Sequence, residues 1–332
     1  MKLTKKLAVL VLSMAVLPVK AADQPTLNES IKPLARLLGN WEVDPNQSFG
    51  NPKYSAQAKA GGSLVVGTFQ FIGEGKVTCS FLQCFYWKPE CNSIGYNVVF
   101  STGRHLSGSL FVKGNKWVIQ GIGSNGKGEL ESSLLQMDWL DNDTLLLKET
   151  HDFVAGELKA ESPVSTFKRI KGFSVQASSQ PALNENLKPL AKYVGKWTYV
   201  WPGEKGEIFN GTTTKTVDPA GAAIVGEGVE MNKDNEIVYS FFHIIHWRPE
   251  TKSLGELWLD SEGGHSLAVM TTRGDQRVWQ RYGYDGKGRF GTSRTTLTFQ
   301  GDDSFVVQKS CIVEGGEAKP DTRKVLFKRA KD

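Results

Sequence analysis

Residues 27–43 read LNESIKPLARLLGNWEV, and residues 183–199 read LNENLKPLAKYVGKWTY. Each is a short amphipathic stretch that runs into Gly-x-Trp. Ile31, Leu34 and Leu38 share one helical face, as do Leu187, Leu190 and Val194. Pro33 and Pro189 belong near a helix N-terminus, where a missing N–H costs little. Gly39 and Gly195 fit the left-handed position that stops a helix. The stretch therefore predicts a short helix followed by a strand, twice.

The duplication extends well beyond these segments. YWKPECNSIG (86–95) matches HWRPETKSLG (246–255), STGRH (101–105) matches SEGGH (261–265), and SNGKGE (124–129) matches YDGKGR (284–289). FKR at 167–169 recurs at 327–329. Trp41 and Trp197 are 156 residues apart, whereas the later matches are 160 apart, so four residues are absorbed before Trp87. A period near 160 is too long for a solenoid repeat and right for a whole domain. The expected division is a first domain at 25–170, a polar linker at 171–180 and a second domain at 181–330. Residues 1–21, with Lys2, Lys5 and Lys6 ahead of a short apolar run, read as a secretory signal peptide. Export to a periplasmic or extracellular space is the expectation.

After each helix the pattern is that of strands. SLVVGTFQF, TCSFLQCFYW, YNVVFS, GSLFV, KWVIQGI, DTLLLKE and STFKRI are rich in β-branched and aromatic residues and separated by turn signals. Copy two echoes most of them. Asn125-Gly126 and Asp285-Gly286 are hairpin signals. Eight or so antiparallel strands per copy predict an all-β fold, in which an up-and-down sheet removes its edges by closing into a barrel.

A short helix, a Gly-x-Trp opening the first strand and a long antiparallel meander resemble the lipocalin/calycin superfamily. The chain is also similar to bacterial lipocalin-like families with an "L..L.G.W" stretch, a mid-domain "W.P....sLG", a "DS.GG" and a late Gly-rich hairpin. The resemblance implies two tandem lipocalin-like barrels, each with its Trp at the closed end under a cation from the last strand. Carried over, Trp41 packs with Lys168 or Arg169, and Trp197 with Lys328 or Arg329. The glycines that follow Gly-x-Trp in haem-binding nitrobindin-like barrels are missing from GNWEVDP and GKWTYVW, which puts haem in doubt. No cofactor is expected.

Charge and motifs narrow the function classes. The net charge is +5, but four Lys and no acid fall within residues 1–21, so the remainder is nearly neutral. Lys and Arg are scattered and form no basic stripe, against nucleic-acid binding. No apolar run reaches the ~20 residues of a spanning helix. GIGSNGKG (121–128) approaches a phosphate-binding loop but lacks the Ser or Thr after Gly-Lys, and reads as a hairpin turn. His243 and His246 sit three apart in a strand-like segment, hence on opposite faces, against a shared metal. Cys79 and Cys84 likewise face opposite ways, and a Cys79–Cys91 or Cys84–Cys91 bridge stays open.

His105 and His265 occur in both copies, as a pocket-mouth group or as a structural histidine bonded to a turn. No Ser, Cys or carboxylate pair recurs beside them to complete a catalytic unit. The ligand-binding candidates are Trp87, His105, His246, Trp247, Trp258 and His265. The first expectation is non-catalytic binding of a small apolar or amphipathic molecule in a barrel mouth. The alternatives are an enzyme with a site around His105 or His265, and a structural or interaction module with filled barrels. Trp258 is not Trp in both copies, so any two pockets should differ.

Overall fold

A computed structural model describes residues 25–44, 51–73, 76–171, 183–203, 207–218 and 221–331. The expected signal peptide lies outside the described residues, as does almost all of the expected linker. The chain forms two closed antiparallel ten-strand β-barrels in tandem. The first uses β1 (Gly39–Val43), β2 (Asn51–Lys59), β3 (Leu64–Gly73), β4 (Lys76–Lys88), β5 (Ser93–Phe100), β6 (His105–Lys113), β7 (Lys116–Ser124), β8 (Leu130–Trp139), β9 (Thr144–Val154) and β11 (Ser165–Ile170), with β10 (Glu157–Leu158) an extra rung on β9. The second uses β12 (Gly195–Pro202), β13 (Ile208–Val217), β14 (Ala223–Met231), β15 (Ile237–Arg248), β16 (Ser253–Asp260), β17 (His265–Arg273), β18 (Gln276–Tyr284), β19 (Phe290–Phe299), β20 (Ser304–Glu314) and β22 (Val325–Arg329), with β21 (Glu317–Lys319) on β20. Neighbouring strands pair in sequence order, and the last strand of each copy pairs with the first to complete the barrel.

Ten strands replace the eight or so expected. The additional ones are β2 (NPKYSAQAK), β8 (LESSLLQMDW), β13 (IFNGTTTKTV) and β14 (AIVGEGVEM). They are rich in small or polar residues and hold their place by ladder bonding and by the side chains that neighbours lay over them. The ring of Tyr199, for example, fills the space where a side chain on Gly211 of β13 would stand, and Phe241 does the same above Gly228 of β14. The registers also locate the four extra residues of copy two. Trp41 faces Tyr54 but Trp197 faces Thr213, which puts three in the first hairpin. Phe69 faces Phe81 whereas Gly228 faces Phe241, which puts the fourth in the third hairpin.

Each barrel is preceded by a nine-residue 3-10 helix, Glu29–Leu37 and Glu185–Tyr193. At three residues per turn, positions i, i+3 and i+6 stack on one face. The buried residues are accordingly Ile31, Leu34 and Leu37, and Leu187, Leu190 and Tyr193. Leu38 and Val194, expected on that face, are C-cap residues instead. Pro33 and Pro189 lie within the helices, where they withhold N–H groups from a longer-range ladder.

The helix is locked over the closed end by one arginine. Arg169 sits opposite Trp41 on the neighbouring strand, with its guanidinium carbon 4.1 Å from the ring centroid. It donates to the carbonyls of Leu38, Arg36 and Asn142, and pairs with Asp143 at 2.8 Å. Arg329 repeats this over Trp197 at 4.3 Å, donating to Val194, Lys192 and Asp302. The two indoles donate to Leu37 and Tyr193 carbonyls at 2.9 and 3.0 Å. Gly39 and Gly195 have φ of 114° and 135°, and a β-carbon there would strike the arginine. Lys168 and Lys328, the other residues in the expected pairing, alternate to the outside of the barrel, where Lys168 meets Asp44 at 3.0 Å.

The two barrels pack side by side. Leu64, Val66, Leu82, Cys84, Tyr86 and Val99 meet Ala223, Phe242, Ile244, Leu257 and Leu259 in one buried cluster. Two polar contacts across this seam form a reciprocal pair. His105 Nε2 lies 3.4 Å from Glu250, and His265 Nε2 lies 3.3 Å from Glu90. Gly128 closes on the Pro249–Glu250 backbone and Gly288 on Pro89–Glu90, both with positive φ. The seam is thus a pseudo-two-fold contact in which each copy offers the same patch to the other. All four cysteines are free. Among the described residues, no helix is long and apolar enough to cross a membrane.

Arg169→Met should lower stability by about 2–4 kcal/mol, because three carbonyls and Asp143 lose a charged donor as the indole loses its cation. Arg169→Lys should fall between wild type and Met. Urea unfolding followed by tryptophan fluorescence measures this, and a Met variant as stable as wild type would contradict the assigned role.

Candidate functional site

The six sequence candidates divide among three locations. Trp87 and Trp247 pack against the interior cores of barrels one and two. His105, His246 and His265 belong to the seam: His105 and His246 stack at 5.1 Å, and Tyr86, the counterpart of His246, meets His265 at the same distance. Ser124 hydroxyl donates to Glu250 at 2.9 Å, while Tyr284 at the matching position stacks on His265 at 5.6 Å. The GIGSNGKG segment is the end of β7 and a turn in which the Asn125 side chain accepts from Lys127 and Glu129 amides. Only Trp258 faces a site that the duplication leaves unexplained.

That site lies inside barrel two. Lys215 (β13), His243 (β15), Glu256 (β16) and Arg281 (β18) point inward, and all but Arg281 are fully or almost fully buried. His243 Nδ1 and Glu256 lie 2.8 Å apart, and Arg281 pairs with the other carboxylate oxygen at 2.6 Å. His243 Nε2 faces the Gly226 backbone without a hydrogen-bond partner. Lys215 Nζ donates to Thr213 Oγ1 at 3.2 Å and sits 4.4 Å from the Tyr193 ring centroid. Beneath this layer lies the core of Trp197, Trp279, Phe305 and Leu190. Above it, towards the open end, Phe241 and Trp258 stack at 4.4 Å, Arg281 covers Trp258 at 5.0 Å, and Tyr199 stacks on Phe327 at 4.2 Å.

Burial dominates the electrostatics here. It pushes the Lys215 ammonium down to about 7, with Glu256 opposing weakly. It lowers His243, against the pull of Glu256. Burial also works to raise Glu256, but Arg281 and His243 outweigh it and hold the carboxyl below its usual range. The layer can therefore present a fixed ion pair, a neutral imidazole and an amine poised between its charged and neutral forms.

Barrel one shows that the fold does not require this. By register, Lys215, His243, Glu256 and Arg281 correspond to Ala56, Gln83, Tyr96 and Gly121. There the level is filled by neutral groups, with the Tyr54 hydroxyl bonded to Gln83 at 3.1 Å. The mouth of barrel one does hold charge, where Arg104 pairs with Glu131 and Glu149 beside Phe100. A groove of about 420 Å3 opens outside the barrels, between Ala58–Gly61 and the outer face of β13 and β14. Lys59 and Glu227 bridge it at 3.0 Å, with their side chains partly in solvent. No group of three or more His, Cys, Asp or Glu among the described residues has the arrangement of a metal site.

The sequence reading passed over Lys215, Glu256 and Arg281. Each is a lone charge in a strand, and only the register brings them to one level. One signal was available: apolar-facing strand positions that carry charge in one copy and not in the other.

No protein-family model matches the chain, and neither does any curated protein. Similar solved structures include a protein of unknown function from the DUF3598 family of Nostoc punctiforme, at 11% identity over 92% of this chain and 100% of that one, with a TM-score of 0.24. A "putative AttH" from Nitrosomonas europaea is 7% identical over 94% of this chain and 97% of that one, with a TM-score of 0.13. Scores at this level carry no argument about function.

The buried histidines set a pH dependence. Burial lowers His105 and His265 against the opposing pull of Glu250 and Glu90, and pushes His246 down to about 3 with help from His105. The unfolded chain therefore binds these protons first, so stability is full above the ordinary histidine range, near 6.5, and falls as pH drops below it. His246→Tyr, which installs the Tyr86 arrangement, should flatten the loss of unfolding midpoint between pH 7.5 and 5.5. An unchanged slope would contradict the assignment.

Proposed function

We propose that the chain is an exported, lipocalin-like carrier of a small amphipathic molecule, and that barrel two is the binding barrel. One observation carries this reading: the ionisable layer of Lys215, His243, Glu256 and Arg281 stands where barrel one has neutral residues. Buried charges cost stability unless they are fully paired, and a paired set still confers less than apolar packing often does. A duplicated fold that keeps them in only one copy has a use for them other than folding. The aromatic layer of Tyr199, Phe241, Trp258 and Phe327 suits the apolar part of a ligand, and Arg281 and Lys215 suit an oxygen-bearing head group. These rings fill the mouth, so entry requires them to turn aside. Barrel one then serves as the scaffold that holds barrel two from the seam.

A second reading is favoured by a separate observation. Ile122, Leu130, Phe153 and Leu158 are exposed on the outside of barrel one, and Tyr282 and Phe290 are exposed at the matching positions of barrel two. Such a paired apolar surface suits an interaction module.

Native mass spectrometry of the full chain, purified without denaturation, tests the carrier reading, together with a dodecanoate titration followed by tryptophan fluorescence. The expected result is a retained small-molecule adduct or saturable dodecanoate binding, weakened about tenfold or more in Arg281→Met, as loss of one charged contact implies. Bare protein that fails to bind dodecanoate, and that self-associates through the apolar surface, would favour the second reading.

A further inference from the structure

Lys215 is unlike the other buried cation of its layer. Arg281 is paired to Glu256, whereas the contacts at Lys215 Nζ are the Thr213 hydroxyl and the face of Tyr193. Thr213 stands where barrel one has Tyr54, and Gly228 where it has Phe69, so the wall on this side of barrel two is made of small residues. The lysine stem starts at the level of Gly195, near the plugged end, and Nζ reaches up to the level of Thr213. One strand position further towards the mouth is Gly211, covered by the ring of Tyr199. The amine therefore lies at the inner end of the aromatic layer.

We propose that Lys215 is a covalent attachment site for amphipathic aldehydes, which it holds as an imine. This rests on the carrier reading above and names the head group as a carbonyl. The neutral amine adds through its lone pair to the carbonyl carbon, forming the C–N bond while the C=O π pair moves to oxygen. A proton passes from nitrogen to that oxygen, giving a carbinolamine. Loss of the hydroxyl with one proton, as water, leaves the C=N bond. No oxidant or reductant is consumed, and the site needs only to exclude bulk water, which would reverse the step. Burial supplies that exclusion, and the same burial keeps much of the amine neutral near pH 7. Glu256, whose charge acts on both Lys215 and His243, supplies a counter-charge for a protonated imine.

The test uses the full chain with octanal and cyanoborohydride at pH 7, followed by peptide mapping. A surface lysine, with a pKa near 10.4, is neutral roughly once in 2,500 at pH 7, so Lys215 should label at least about tenfold faster than the average lysine even after allowing for its burial. Lys215→Met should abolish the fast adduct. Lys215→Arg, which keeps the cation and removes the nucleophile, should abolish it too, and serves if the Met variant fails to fold. Adducts spread over surface lysines with the Lys215 peptide unmodified would overturn the proposal. Dodecanoate binding that survives alongside that outcome would leave the carrier reading standing, so the two failures are separable.

Discussion

The contact between one arginine and one tryptophan fixes the geometry of each barrel. Arg169 and Arg329 come from the last strand, yet they touch the first strand, the helix that precedes it and the loop that leads into the strand on their other side. A guanidinium can do this because it is planar and has five donors in a fixed fork, which a lysine lacks. Everything else at that end follows from it. The glycine two residues before each Trp is there because the arginine occupies the space of a side chain. The helix stays over the barrel because its last carbonyls accept from the same group. Closure of the sheet, burial of the Trp and seating of the helix are one event, repeated in the second copy.

The seam shows what the remaining shared motifs are for. Trp-Lys-Pro-Glu and Trp-Arg-Pro-Glu place Glu90 and Glu250 on turns, and each reaches the histidine that opens β17 or β6 of the other barrel. The Gly-Lys-Gly hairpins place Gly128 and Gly288 against those same turns. A repeat of this kind carries the same patch twice, and the two patches meet each other. The duplication is then sufficient to make the interface, with no new surface needed.

Much of this was legible in the sequence, and the limit has a physical cause. The helix, the Gly-x-Trp and the terminal Phe-Lys-Arg are local signals, and they led to a duplicated β-barrel. The strands that escaped, β2, β8, β13 and β14, are rich in small or polar residues, and in β13 and β14 neighbouring rings lie over the glycines. The roles of His105 and His265 escaped because their partners belong to the other copy, some 145–175 residues away by the numbering. The charged layer of barrel two escaped for a related reason: four strands contribute one residue each, and no one segment contains the pattern. The residues the copies share build the frame, and the ones they do not share fill barrel two with ionisable groups.

The carrier proposal requires that this charged layer serve a ligand and not the fold. The direct measurement is the unfolding free energy at pH 7 of the triple variant Lys215→Met, Glu256→Gln, Arg281→Met. It removes all three formal charges, roughly keeps their volume and leaves His243 an amide to bond. The triple variant should be as stable as wild type or more stable by about 1–4 kcal/mol, as for other buried ion sets replaced by apolar groups. A loss of more than about 2 kcal/mol, of the size seen when a needed buried contact is broken, would show that barrel two depends on its charges to fold.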